Sequence, residues 1–115
     1  MRTASQNIHS EWNVRNLGIP IAAGVLLVTH AVSAQEAAKV EAGEGVYRTY
    51  CSPCHGDNLV SSGQTFDLRR LTTADRARFE NSVLNGKNQM PPWKGALSNE
   101  EIDQIWHYIR ATAEK

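Results

Sequence analysis

Apolar residues recur at helical spacing in three stretches of this chain. The first stretch runs from about Glu36 to Tyr50 and places small, aliphatic and aromatic residues on one helix face: Val40, Gly43, Tyr47 and Tyr50. The second runs from about Thr73 to Asn85, with Thr72-Thr73 available as a cap and Gly86 at its end. Both patterns predict amphipathic helices.

The third stretch lies near the C-terminus. Ser98 and Glu101 have the spacing of a capping box, and the apolar residues after them recur as they do along one helix face: Ile102, Ile105, Trp106 and Ile109. No stretch shows the alternating β-branched pattern of a strand. The sequence therefore predicts an all-α domain with three main helices, joined by the loops 56–71 and 86–97.

Residues 1–34 have the order of a secretory signal peptide. Arg2 and Arg15 precede an apolar run of about a dozen residues, 17–28, and small residues precede position 35. A helix that crosses a bilayer needs about 20 apolar residues. We therefore expect cleavage after Ala34, export to the periplasm and a functional domain of residues 35–115, with membrane attachment only if the leader is retained.

The 81 residues that remain after cleavage are few for a stable apolar core without a metal, a disulfide or a cofactor. They hold 10 Lys and Arg against 11 Asp and Glu, and the two signs alternate along the chain. Nucleic-acid-binding domains instead concentrate basic residues in one stripe. The composition thus argues against a nucleic-acid partner and in favour of a bound group that supplements the core.

The segment Cys51-Ser52-Pro53-Cys54-His55 has the C-x-x-C-H order of a c-type haem attachment site. Two thiols at this spacing can reach the two vinyl groups on one side of a porphyrin, and His55 follows as an iron ligand. The chain has no other cysteine, which excludes a disulfide framework and a four-thiolate metal site. A redox dithiol or a local disulfide is the alternative, although a redox dithiol normally follows a strand rather than a helix.

Few residues after the leader can supply a second iron ligand. Met90 is the only methionine there, and His107 is the only histidine besides His55. Met90 lies in a loop without an obvious packing role, whereas His107 lies in the C-terminal helix, so we favour Met90. A His/Met pair leaves no open position on the iron and suits electron transfer. If Met90 were displaced, the chain would instead be an enzyme or sensor that binds a small ligand.

Together these residues resemble a class I c-type cytochrome over nearly all of residues 35–115. Gly43 and Tyr47 lie eight and four residues before Cys51, where that family places the small and aromatic residues of its first helix. Ile105 and Tyr108 match positions in the last helix that cross it. The resemblance implies a small cytochrome c fold around one covalent haem c, in a monomeric electron carrier that is not an enzyme.

The segment 85–93 resembles the distal-ligand loop of small bacterial members, which implies that Met90 ligates the iron. Trp93 would then either donate its indole N–H to a haem propionate or cover the haem edge. With this loop, the segment 66–69 is similar to small cytochromes that accept electrons from periplasmic quinoprotein alcohol dehydrogenases. Such a dehydrogenase is the implied donor, and an oxidase or another cytochrome the implied acceptor.

One feature departs from that family. Many members place a proline after the haem motif, and its carbonyl accepts the proton of the proximal imidazole. The segment 56–89 contains no proline, so the sequence leaves the hydrogen-bond acceptor for His55 unassigned.

Overall fold

The computed structural model describes residues 22–115, with the backbone alone for residues 22–30. Its helices are α1 (Ala22–Tyr50), α2 (Ser52–His55), α3 (Arg76–Asn85) and α4 (Asn99–Ala113). Short 3-10 turns lie at Asp57–Leu59, Leu68–Arg70 and Thr73–Asp75. Residues 22–115 form isolated β-bridges but no strand. The predicted all-α class and its three main helices are confirmed.

Helix α1 ends at Tyr50 as predicted but begins at Ala22, well before Glu36. The sequence has no proline between these two ends, so nothing interrupts the helical hydrogen bonds. The helix passes through the expected processing site at Ala34 without a break. Residues 1–21, with Arg2, Arg15 and the start of the leader, lie outside the described residues, and cleavage after Ala34 stays a prediction.

Within residues 22–115, none of the helices is both long enough and apolar enough to cross a bilayer.

Both later helices have the caps that the sequence predicts. At the start of α4, the Ser98 hydroxyl accepts the amide of Glu101 at 3.2 Å, and the Glu101 carboxylate accepts the amide of Ser98 at 2.8 Å. Thr72 and Asp75 form the same reciprocal box around the 3-10 turn Thr73–Asp75, which leads directly into α3. Helix α3 ends at Gly86, which has a φ of 75° that suits glycine.

The core forms where α1 crosses α4. Gly43 lies so close to α4 that a Cβ atom there would be 1.9 Å from the carbonyl oxygen of Gln104. Beside this contact the rings of Tyr47 and Tyr108 pack at 5.1 Å between centroids. The predicted apolar face of α4 is buried in this core: Ile102, Ile105, Trp106 and Ile109. The crossing that the resemblance implies is therefore present.

A carboxylate joins three helices on the other side of α4. Asp103 accepts Lys39 of α1 at 3.0 Å and Arg76 of α3 at 2.8 Å. The hydrogen bond from Arg76 is the largest cause that lowers the pKa of Asp103 below its ordinary value of 3.8, and burial acts against it. His107 also lies in this network, with Nδ1 2.9 Å from the carboxylate of Glu36. The network ties α1 and α3 to the polar side of α4.

The Gly43 contact predicts that a single methyl group will separate the two main helices. We expect Gly43→Ala to lower the free energy of unfolding by roughly 3 kcal/mol, because backbone atoms of α4 must move. Gly45→Ala is the matched control, since a Cβ at Gly45 meets no atom within 4 Å. It should raise helix stability by up to about 1 kcal/mol. Urea unfolding followed by circular dichroism measures both, and equal stability of the two variants would contradict the close crossing.

The lowered pKa of Asp103 predicts a pH-dependent contribution to stability. The folded chain favours the ionised form of Asp103. Its ion pairs therefore stabilise the fold fully above the ordinary pKa of the carboxylate, and this stabilisation is lost as the pH falls through the lowered pKa of the folded state. We expect Asp103→Asn to cost about 1 kcal/mol at pH 7 and progressively less below about pH 4. Urea unfolding across this range measures the difference. Glu100→Gln on the same helix is the control, and a pH-independent cost for Asp103→Asn would oppose the prediction.

Candidate functional site

A cleft of about 870 Å³ opens beside the α1–α4 crossing. All five residues that the sequence analysis selects line it: Cys51, Cys54, His55, Met90 and Trp93. Much of the remaining wall is apolar: Leu68, Leu71, Phe79, Val83, Ile105 and Ile109. A cleft of this size, mostly apolar with a few converging polar groups, suits a large organic cofactor.

The C-x-x-C-H segment continues directly from α1 as a helical turn. The Cys51 amide donates to the carbonyl of Tyr47 at 2.8 Å, and the His55 amide donates to the carbonyl of Cys51 at 2.9 Å. Pro53 lies in the first turn of α2, where its missing N–H removes no helical bond. Because Cys51 and His55 are four residues apart in this turn, they lie on the same side. The position of the segment directly after α1 is as predicted, whereas its helical conformation was not predicted from the sequence.

The two thiols are not joined, and the environment of Cys51 is wrong for a redox dithiol. Burial is the largest cause that raises the pKa of Cys51 to about 11, and the neighbouring Cys54 adds to it. Reactive thiols instead have a lowered pKa, because the thiolate is the nucleophile. The dithiol and local-disulfide alternatives therefore have no support from this geometry.

His55 is a partly buried imidazole whose Nδ1 has no hydrogen-bond partner of ordinary geometry. Burial lowers the pKa of His55, and the backbone carbonyl of Phe66 acts in the opposite direction. The neutral imidazole that burial favours is the form that binds a metal. The carbonyl of Phe66 is thus the acceptor that the fold offers near His55, in place of the proline carbonyl that the resemblance implied.

Hydrogen bonds hold the loop that carries Phe66 against the haem motif. The Thr65 hydroxyl donates to the carbonyl of Cys54 at 3.2 Å, and the Ser61 hydroxyl donates to the carbonyl of Thr65 at 3.1 Å. The Tyr47 hydroxyl donates to the carbonyl of Gly56 at 2.7 Å, and burial raises the pKa of Tyr47. These hydrogen bonds therefore fix the backbone on both sides of His55.

Met90 reaches the cleft from the loop after α3. Its backbone pairs with Lys87 in both directions, at 2.9 and 3.1 Å. Trp93 packs edge-on against Tyr50 with ring centroids 5.4 Å apart, so it closes the cleft beside the end of α1. His107, the competing iron ligand, is not among the cleft residues and pairs with Glu36 and Asp103 instead. The geometry brings together His55 and Met90 and leaves His107 outside.

The charged residues that line the cleft are cations. Arg78 and Lys87 line it, and no Asp or Glu does so among the described residues. Asp75 anchors the Arg78 guanidinium at 2.9 Å, and the guanidinium lies 5.5 Å from the ring centroid of Phe66. Arg69 is not among the cleft residues, and its guanidinium is bound by the carboxylate of Asp67 at 2.9 Å. Arg78 was not predicted as a cleft residue, because nothing in the local sequence distinguishes it from the other cations.

Comparison with known proteins gives the same assignment. Residues 38–109 match the family model described as cytochrome c oxidase, cbb3-type, subunit III. Cytochrome c6 of Gracilaria tenuistipitata var. liui is 33% identical over 72% of this chain and 82% of its own length. Cytochrome c6 of a Nostoc strain is also 33% identical, over 79% of this chain and 87% of its own length.

A second kind of relative is much longer. The quinohemoprotein alcohol dehydrogenase ADH-IIG of Pseudomonas putida is 38% identical over 64% of this chain, but the match covers only 11% of the dehydrogenase. No solved structure matches the chain significantly. The helical fold, the C-x-x-C-H turn at an apolar cleft and the match to most of the length of small cytochromes agree, and the chain belongs to the cytochrome c family, as an electron carrier with a covalent c-type haem.

Proposed function

We propose that this chain transfers single electrons through a haem that is attached at Cys51 and Cys54 and ligated by His55 and Met90. The observation that carries the proposal is that these four residues line one cleft, whereas His107 does not. A haem iron with this ligand pair changes between the ferric and ferrous states without an open coordination site.

The protein's own residues supply attachment, exclusion of water and electrostatic balance. The two thiols fix the cofactor covalently. The buried Nδ1 of His55 has no hydrogen-bond partner, and the carbonyl of Phe66 is the acceptor nearby for its N–H. The apolar wall removes the cofactor from water, which supplements the small core of the domain. Arg78 and Lys87 suit a group that carries carboxylates, because both place positive charge in the cleft wall. Asp75 pairs with Arg78 from outside that wall.

The proposed location is the periplasm, reached through the leader 1–34. Its support is the order of charged, apolar and small residues before position 35. If the leader is removed after Ala34, α1 of the exported protein begins near Glu36. The contact of 2.9 Å between the Glu36 carboxylate and Nδ1 of His107 is then retained.

The proposed electron donor is a quinoprotein alcohol dehydrogenase, and the acceptor an oxidase or another cytochrome. The match to part of a quinohemoprotein alcohol dehydrogenase supports the donor. The contact should be small and short-lived, as is usual for redox partners that bury less than about 1,200 Å². The docking surface would be the rim of the cleft beside Cys54, Pro91 and Pro92, all of which are exposed.

Ligation by Met90 predicts a specific spectrum. The ferric protein should show the weak charge-transfer band that sulfur ligation gives at the red edge of the visible range, and the ferrous protein should not bind carbon monoxide at neutral pH. Met90→Ala should lose the band and bind carbon monoxide, whereas the control His107→Ala should behave like the wild type. Carbon monoxide binding by the wild type would favour the enzyme or sensor alternative instead.

The proposed donor predicts direct reduction by a quinoprotein alcohol dehydrogenase. We expect the purified dehydrogenase with its alcohol to reduce the ferric protein in stopped-flow mixing, with a second-order rate that depends only modestly on salt, because the domain is near neutral. The same mixture without alcohol is the control. If the enzyme turns over with an artificial acceptor but does not reduce this protein, the donor assignment is wrong.

A further inference from the structure

The loop that carries Met90, residues 86–94, folds back tightly at its first residue. We call these nine residues the Met90 strap. Gly86 ends α3 with a φ of 75°. A Cβ atom at Gly86 would lie 2.7 Å from the carbonyl oxygen of Met90 and 3.0 Å from the backbone nitrogen of Pro92. The left-handed backbone and the close approach both favour glycine at this position.

A second left-handed residue follows two positions later. Lys87 and Met90 exchange backbone hydrogen bonds at 3.1 and 2.9 Å, which closes a four-residue turn. Within that turn Asn88 has a φ of 54°, and it is exposed. Asparagine tolerates this backbone region better than most residues, and β-branched residues tolerate it worst. The direction in which Met90 leaves the turn therefore depends on two backbone conformations that few residue types accept.

The far end of the strap is bound to two helices. The Trp93 amide donates to the carbonyl of Val83 at 2.8 Å, and the Lys94 amide donates to the carbonyl of Leu84 at 3.3 Å. Both carbonyls belong to the last turn of α3, where carbonyls lack a partner within the helix. The ring of Trp93 also contacts Tyr50 at the end of α1. The strap is thus fixed at its start, within its turn and at its end.

We propose that Gly86 and Asn88 are positioning residues for the sixth iron ligand. Their left-handed backbone conformations set the place of the Met90 thioether in the cleft, so that external ligands compete poorly with it. This inference rests on the proposed ligation of iron by Met90, and the experiment below separates the failure of one from the failure of the other.

The experiment measures imidazole binding to the ferric holoprotein together with the sulfur charge-transfer band. We expect Gly86→Ala to bind imidazole roughly tenfold more tightly than the wild type, which corresponds to about 1.4 kcal/mol, and to lose part of the band. Gly95→Ala is the matched control. Gly95 directly follows the Met90 strap and has a φ of 84°, but a Cβ there meets no atom within 4 Å. The control should keep wild-type affinity and the full band.

Substitutions at Asn88 test the backbone conformation at the rim of the cleft, which this exposed residue lines, without a change among the buried residues. Asn88→Gly should retain the band and wild-type imidazole affinity, since glycine adopts the required φ freely. Asn88→Val should behave like Gly86→Ala. This pair also decides the inference if Gly86→Ala does not mature into holoprotein.

Three outcomes would overturn the inference. In the first, Met90→Ala loses the band while Asn88→Val and Gly86→Ala retain it with wild-type imidazole affinity, which refutes the positioning role but keeps the ligand. In the second, Gly95→Ala changes affinity as much as Gly86→Ala, so that the effect is a general loss of loop stability. In the third, the wild type and Met90→Ala have the same spectrum, which refutes ligation by Met90 itself.

Discussion

The close contact between α1 and α4 at Gly43 determines where every other part of the site lies. Because the backbone of Gln104 approaches the Gly43 position so closely, Tyr47 can pack against Tyr108 and still reach the carbonyl of Gly56. One turn later the same helix brings Cys51 to the cleft, whose wall includes residues of α4. A larger residue at position 43 would move the end of α1, and with it the attachment site, away from that wall.

The two sides of the cleft are built in different ways. On the attachment side, consecutive residues of one helical turn provide both thiols and the imidazole, and a buried tyrosine holds the backbone that follows. On the Met90 side, a single side chain is presented by a loop whose amides are bound to the end of α3. Local sequence is enough for the first side, whereas the second needs the packing of α3 against the rest of the domain.

The relatives indicate how such a unit is used. The chain matches most of the length of small cytochromes c6 but only a small segment of a quinohemoprotein alcohol dehydrogenase. The same kind of domain therefore occurs both by itself and as part of a larger protein. The helix crossing at Gly43 and the C-x-x-C-H turn, on which the fold and the cleft depend, both lie within the matched residues 38–109.

The sequence by itself determined the helical class, the caps of the last two main helices and the position of the C-x-x-C-H segment directly after α1, because these depend on spacing within short segments. The capping box at Ser98 and the C-x-x-C-H run are local patterns, each contained within at most five consecutive residues. Tertiary structure alone decided that Arg78 rather than Arg69 lines the cleft, and that the carbonyl of Phe66 lies near His55. These features depend on how distant segments pack and which side chains already have partners, and residue spacing carries no record of either.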